Sequence, residues 1–282
     1  MITTSLASGI ALAFLSAFTT ALGHALQKSA RNKLAVRTLM SAISLILFVP
    51  VAIHVGLPPI MMLHWLAASC VTHWVYQIFL IRSYELNDFS VTFPIARGVA
   101  PLATAVLGVV FLNDQLTATA AIGIGAISLA IISLADKAAL TGAGLRAALI
   151  TGAMTTLYTI IDAKGVRLAS EPMLFIAWFF ILDSIAMPLL FFRQNGKRSW
   201  SLLSMDASTG IMAGLVTAVS FASALYALAL APVGIVSALR ETSVVIGIAL
   251  AIIMLHEKVG RRRLVGGILV AVGAATAIIG IQ

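Results

Sequence analysis

Ionisable residues stand inside stretches that are otherwise apolar: Arg97 within 89–112, Asp183 within 171–192, Arg240 with Glu241 within 233–255, and Asp162 near the end of 143–163. A charge at membrane depth costs ~2.5–3.5 kcal/mol on insertion scales, so each needs a partner or a wet cavity. A guanidinium binds carboxylate or phosphate as a two-toothed fork, so a pair of buried arginines suits an anionic ligand. Successive helical positions point about 100° apart, so Arg240 and Glu241 cannot share one radius. Glu241 is therefore expected to face Arg97, a wet cavity or another helix. A carboxylate in a partly desolvated place can take up and release protons, which makes Glu241 and Asp183 the candidates for proton coupling. The competing reading pairs each acid with an arginine and leaves both as packing elements.

Polar and aromatic residues recur at helical spacing. Tyr76, Gln77 and Tyr84 share a broad face, with His73 one turn before Tyr76; Ser220, Ser223 and Tyr226 recur every three residues; Thr155, Tyr158 and Asp162 recur at three and four. Such stripes either line a cavity or bond neighbouring helices. Their accumulation on the third, sixth and eighth apolar stretches, with the arginines on the fourth and ninth, favours a cavity. The candidate binding set is Arg97, Arg240, Tyr76, Gln77, Tyr84, Tyr158, Tyr226 and Ser223, with His24, one turn from Gln27, at an entrance. Pro94 and Pro101 straddle Arg97 and should bend its helix by removing backbone hydrogen bonds, which makes them candidate gating residues. The equivalent positions around Arg240 are Ser237 and Val244, so any hinge is expected to be asymmetric. His64 and His73 are too far apart for a metal pair one turn apart, Cys70 is the single cysteine, and neither a GxxxxGK[ST] loop nor an HExxH motif occurs. The sequence therefore predicts no enzyme, no metal, no cofactor and no nucleic-acid partner.

The elements that must position these residues follow from composition. Of 282 residues, 61% are apolar and 10% charged, against roughly 45–50% and about 25% in soluble domains. Apolar runs at about 4–26, 34–55, 60–81, 89–112, 116–135, 143–163, 171–192, 207–230, 233–255 and 264–281 each approach the ~20 residues that cross a bilayer. Together they leave no connection long enough for a soluble domain. The expected fold is an all-α integral membrane protein with ten transmembrane helices. The net charge of +8 is mostly a label of topology: apart from Arg97, Arg240, Lys164 and Arg167, every Lys and Arg falls in or beside the connections on one side. The positive-inside rule puts that side in the cytoplasm of a bacterial-type inner membrane and both termini outside.

Sliding the chain over itself by 143 residues places Arg97 on Arg240, Leu107 on Leu250, Leu112 on Leu255, Asp114 on Glu257 and Gly123 on Gly266. In each copy a helix carries its Arg about 12 Å from one end at 1.5 Å per residue. That helix closes in Leu-Asn-Asp-Gln-Leu (112–116) or Leu-His-Glu-Lys-Val (255–259), and a Gly-rich helix follows. Five crossings per copy is odd, so the copies, 1–138 and 139–282, enter the membrane from opposite sides. Inverted five-helix repeats of this kind are typical of secondary transporters with a midplane site. Gly266, Gly273 and Gly280 form a smooth ridge for close packing, either inside a monomer or at a homodimer contact.

This pattern resembles the EamA-type members of the drug/metabolite transporter superfamily over nearly the whole chain. The resemblance implies a central cavity on helices one, three, four, six, eight and nine, and export of a small organic metabolite, amino-acid-like in the favoured reading, by alternating access. Protons and the lipid bilayer would be its other partners. A passive uniporter or exchanger and a drug-efflux protein of the same fold are the alternatives, and a channel is a more distant one. The sequence departs from the family's Gly-Glu helix ends, with Asn113-Asp114 and His256-Glu257 in their place.

Overall fold

In the computed structural model, residues 4–86, 95–134, 142–247, 249 and 260–281 are described; the side chains at 24, 25, 28, 29, 81, 84 and 85 lie outside that description. Pro94, the side chains of His24 and Tyr84, and the His256-Glu257 pair therefore fall outside the described residues. Among the described residues every regular element is helical. In lipid each backbone N–H and C=O must be satisfied within the segment, and a helix does this without help from water. The helices are α1 (Thr4–Ser29), α2 (Lys33–Val55), α3 (Ile60–Leu86), α4 (Ala100–Leu112), α5 (Ala118–Ser133), α6 (Gly142–Leu168), α7 (Pro172–Asp183), α8 (Ala186–Asn195), α9 (Ser199–Met205), α10 (Ala207–Leu230), α11 (Val233–Arg240) and α12 (Arg261–Ile279). A helical turn at 95–98 precedes α4, and another at 243–247 follows α11.

Seven segments among the described residues are long and apolar enough to cross a membrane: Thr4–Gly23, Lys33–Val55, Ile95–Leu112, Gly142–Leu168, Pro172–Met205, Ala207–Leu230 and Arg261–Ile279; α5 is a shorter apolar helix. Two of the ten expected crossings differ for identifiable reasons. α3 has the length, at 27 residues, but His64, His73, Tyr76 and Gln77 dilute its apolar character. α11 runs for only 8 residues before it is interrupted.

Local chemistry sets several boundaries. Asn32 caps α2, its Oδ1 accepting from the Ala35 amide at 2.9 Å, and Thr117 caps α5 in the same way through the Ala120 amide. The Asp206 carboxylate, ahead of α10, accepts from the Arg31 and Asn32 amides and ties the α1–α2 turn to the α9–α10 turn. Asn113 ends α4 in the left-handed region at φ 55°, where Asn is the best tolerated residue after Gly.

α1 packs along α10, α3 along α6, and α5 along α12, while α2 lies against α10 and α7, and α4 crosses α11. Apolar tails surround a membrane helix as favourably as apolar side chains do, so close approach through small residues drives such packing. The α5–α12 seam shows this directly. A Cβ on Gly123 would lie 2.9 Å from Ala277 Cα, and one on Gly273 would lie 2.8 Å from the Gly123 carbonyl oxygen. Gly266 and Gly280 press on Leu134 and Ala120 of the same chain, so the glycine ridge is spent inside the monomer. On the outside, Ile46, Ile53, Phe111, Ile122, Leu129 and Val272 are exposed, as expected of side chains that meet lipid.

Candidate functional site

A cavity of about 370 Å³ lies among α1, α2, α3, α6, α7, α10, α11 and the 95–98 turn. Its polar wall includes Thr20, Gln27, Arg37, His73, Tyr76, Gln77, Arg97, Tyr158, Asp183, Ser220 and Arg240; Phe179, Phe180 and Phe221 form an apolar side. α1 contributes residues from its second half and α2 residues from its first half. The cavity thus lies toward the end of the bundle that carries the 30–32 and 196–206 connections, the basic end.

Arg97 and Glu241 form a fork: Nη2 donates to Oε1 at 2.8 Å, and Nε donates to Oε2 at 3.0 Å and to Oε1 at 3.2 Å. Of the alternatives left open by the sequence, Glu241 faces Arg97. Both groups sit at helix interruptions. The helical turn holding Arg97 ends at a bend at Val99, with Pro101 in the first turn of α4. α11 stops at Arg240, and the Glu241 and Thr242 amides bond back only three residues, to Ala238 and Leu239. This tightened turn needs no proline. The hinge expected to be asymmetric is therefore matched by a second interruption at the equivalent place, since Val99 and Thr242 are 143 residues apart.

Arg240 behaves differently from Arg97. Its Nε donates to Ser16 Oγ at 3.1 Å, and its guanidinium carbon lies 5.9 Å from the centre of the Phe221 ring. Among the described residues it forms no ion pair. Ser16 is itself set by Ser220, whose hydroxyl donates to the Ser16 carbonyl at 3.0 Å and meets Thr20 Oγ1 at 2.6 Å. The α1–α10 seam thus holds one end of Arg240 and leaves its charge at the cavity wall.

Asp183 pairs with Arg37 at 3.5 Å, and Arg37 Nε donates to Gln77 Oε1 at 3.1 Å. Arg37 was counted with the basic connections, yet it stands one turn inside α2 and lines the cavity. The signal in the sequence is Asp183 itself, a mid-span acid with no cation on its own apolar stretch. The structure brings Arg97, Arg240, Tyr76, Gln77, Tyr158 and Asp183 around one cavity, with Tyr76 and Tyr158 in edge contact at 5.3 Å between ring centres. Ser223 and Tyr226 are not on its wall. Steps of three residues turn about 300°, so the stripe that begins at Ser220 drifts off the cavity face, and Tyr226 lies about 9 Å further along α10, away from the basic end. Tyr226 packs against the apolar core instead.

At that far end a second charged cluster ties several elements together. Asp114 Oδ1 accepts from Arg167 Nη1 at 2.7 Å, and its Oδ2 accepts from the Val233 amide at 2.6 Å. Arg167 also donates to the Leu228 and Ala231 carbonyls at 2.8 and 2.9 Å. One carboxylate therefore joins the α4–α5 turn, the end of α6, and the turn between α10 and α11. The left-handed Asn113 precedes it, so Asn113-Asp114 supplies what a Gly-Glu pair would, a left-handed residue followed by an acid.

Long apolar helices around a charged, partly aromatic cavity define a multi-pass membrane protein. Residues 142–279 match the EamA-like transporter family, consistent with the drug/metabolite transporter superfamily, whose members are membrane transporters of small substrates. A protein crystal structure superimposes with a TM-score of 0.75 over 100% of this chain and 99% of its own, at 14% identity, and shares the fold. None of the curated proteins compared matches the sequence.

Proposed function

We propose that the chain is a secondary transporter that exports a small, amino-acid-like metabolite by alternating access. The observation that carries this reading is Arg240, a cavity guanidinium with no acid partner among the described residues, set beside Phe221 and Tyr158. A ligand carboxylate supplies the missing counter-charge, its ammonium group faces Asp183, and its side chain meets the phenylalanines. Glu241 and Asp183, expected from the sequence to carry protons, pair with Arg97 and Arg37.

Two inverted five-helix repeats, 1–138 and 139–282, account for the packing. Under the 143-residue offset the α1–α10 contact corresponds to α6–α3, and α2–α10 to α7–α3, all of which occur. The matched interruptions at Val99 and Thr242 and the family match from 142 to 279 support the same division. Interrupted helices at a repeat interface are the usual place for a transporter's site. With the basic connections in the cytoplasm of a bacterial-type membrane, the cavity loads from the cytoplasm, the Asp114–Arg167 cluster closes the outer end, and Pro101 eases movement beside Arg97.

A thermal-shift screen against L-amino acids, sugar phosphates and organic cations tests this. A specific ligand at about 100 times its Kd stabilises the protein by about 2.7 kcal/mol. The expected hit bears a carboxylate and loses its effect in Arg240→Gln. Hits confined to cations, or a carboxylate hit indifferent to Arg240→Gln, would overturn the assignment.

A further inference from the structure

Apart from the acids held by arginines, α6 carries Asp162, which is 1% exposed and lies just behind the cavity wall. Its Oδ1 accepts a hydrogen bond from the Ser69 hydroxyl of α3. Its Oδ2 lies 3.7 Å from Nε2 of His73. Among the described residues neither His73 Nε2 nor Asp162 Oδ2 has a hydrogen-bond partner.

The tautomer of His73 follows from its other nitrogen. Nδ1 lies 2.9 Å from the Ser69 carbonyl oxygen, and a carbonyl only accepts, so Nδ1 carries a hydrogen. Nε2 of the neutral ring is then a bare lone pair directed at a carboxylate oxygen. Two acceptors buried face to face repel, and each left unsatisfied costs the desolvation of a polar group. A single proton on the carboxyl, its O–H directed at Nε2 of the neutral ring, removes both penalties. The ring is clamped between Tyr158, 4.0 Å away centre to centre, and Phe179 and Phe221 at 4.8 and 5.2 Å, which shields the pair from bulk water. His73 and Tyr158 line the cavity, so Asp162 lies one side chain behind its wall.

We propose that His73 and Asp162 share one proton and form the proton-binding site through which transport is coupled to pH. The proposal rests on the transporter reading above and replaces Glu241 and Asp183 as the proton carriers. The charged and titratable groups around the pair are Asp183 on α7, Arg240 on α11, Arg37 on α2, Arg97 on the 95–98 turn, Cys70 and Tyr76 on α3, and Tyr158 on α6 itself. Arg240 acts on both His73 and Asp162, so an anionic ligand that neutralises it favours the protonated pair, which links ligand and proton occupancy.

The test is infrared difference spectroscopy between acidic and alkaline pH on the whole protein in lipid. The expected result is a carboxylic-acid C=O band that shifts in D2O, disappears in Asp162→Asn, and moves in frequency in Ser69→Ala, which keeps the acid and removes its hydroxyl donor. A band unchanged by both substitutions, or no such band in the wild type, overturns the proposal. If Asp162→Asn does not fold, Ser69→Ala decides. This measurement needs no substrate, so a missing band leaves the transporter reading standing and a failed ligand screen leaves the band informative. In proteoliposomes an imposed pH gradient should drive accumulation of the L-amino acid giving the largest thermal shift, and Asp162→Asn should only equilibrate it. Undiminished accumulation by Asp162→Asn also overturns the proposal.

Discussion

Replacing Asp114 with alanine tests the far-end cluster. Two contributions are removed together. The carboxylate caps the start of α11 through the Val233 amide at 2.6 Å, and losing such a cap costs about 1 kcal/mol. It also takes a charge-assisted bond from Arg167 at 2.7 Å, worth about 1.5–3 kcal/mol. The pair's side chains are 24% and 11% exposed, which puts the second figure near its lower end. Arg167 keeps the Leu228 and Ala231 carbonyls, so its charge is not stranded. The expected loss is therefore about 3 kcal/mol for Asp114→Ala, and about 1–2 kcal/mol for Asp114→Asn, whose amide oxygen still caps. Reversible unfolding in mixed micelles, followed by circular dichroism, measures both. A double-mutant cycle with Arg167→Ala should return a coupling of at least about 1 kcal/mol. Under the proposed orientation, with the cluster closing the outer end, Asp114→Ala should also speed maleimide labelling of Ser223→Cys in a Cys70→Ala background. Additivity of Asp114→Ala and Arg167→Ala within about 0.5 kcal/mol would refute the pairing argument. Equal losses for Asp114→Ala and Asp114→Asn would refute the capping argument.

Three further outcomes follow from the same unfolding assay. Asn113→Ala should cost about 1–2 kcal/mol because alanine is strained in the left-handed region, whereas Asn113→Gly should cost nothing; a neutral alanine would contradict the conformation of this turn. Arg97→Met leaves the buried Glu241 carboxylate uncompensated and should cost about 3–5 kcal/mol. Adding Glu241→Leu should recover most of that loss, and no recovery would show that the fork is not the source. Gly123→Val overpacks the α5–α12 seam and should cost about 1–3 kcal/mol or more, while the same change at Gly125, which has open space around its Cβ position, should be tolerated.

The apolar runs made most of the helix inventory legible because a membrane span declares itself by length and composition. α3 was placed as the apolar run 60–81, although the residues that face the cavity make it less like a lipid-bound helix. The candidate site was legible wherever a charge was isolated inside a run, as with Arg97, Arg240, Glu241 and Asp183. Arg37 was hidden because a basic residue one turn inside a helix reads like a connection residue. Ser223 and Tyr226 stand off the cavity wall for a geometric reason: each step of three residues turns the stripe about 60° further from the face that Ser220 occupies. Asp162 was visible as a polar residue, but only the fold brings Ser69 and His73 of α3 against it. No local pattern in a single sequence encodes that meeting.

The fork between Arg97 and Glu241 has a mechanical meaning. Arg97 lies immediately before the interruption at Val99, and Glu241 lies within the interruption that follows α11. Each break alone would let its helix flex independently. Three donor–acceptor contacts at 2.8 to 3.2 Å between them act as a short connecting rod. Under the proposed alternating access, bending at either point would carry the other along or snap the rod, so the two interruptions would share a single degree of freedom, with Arg240 at the joint.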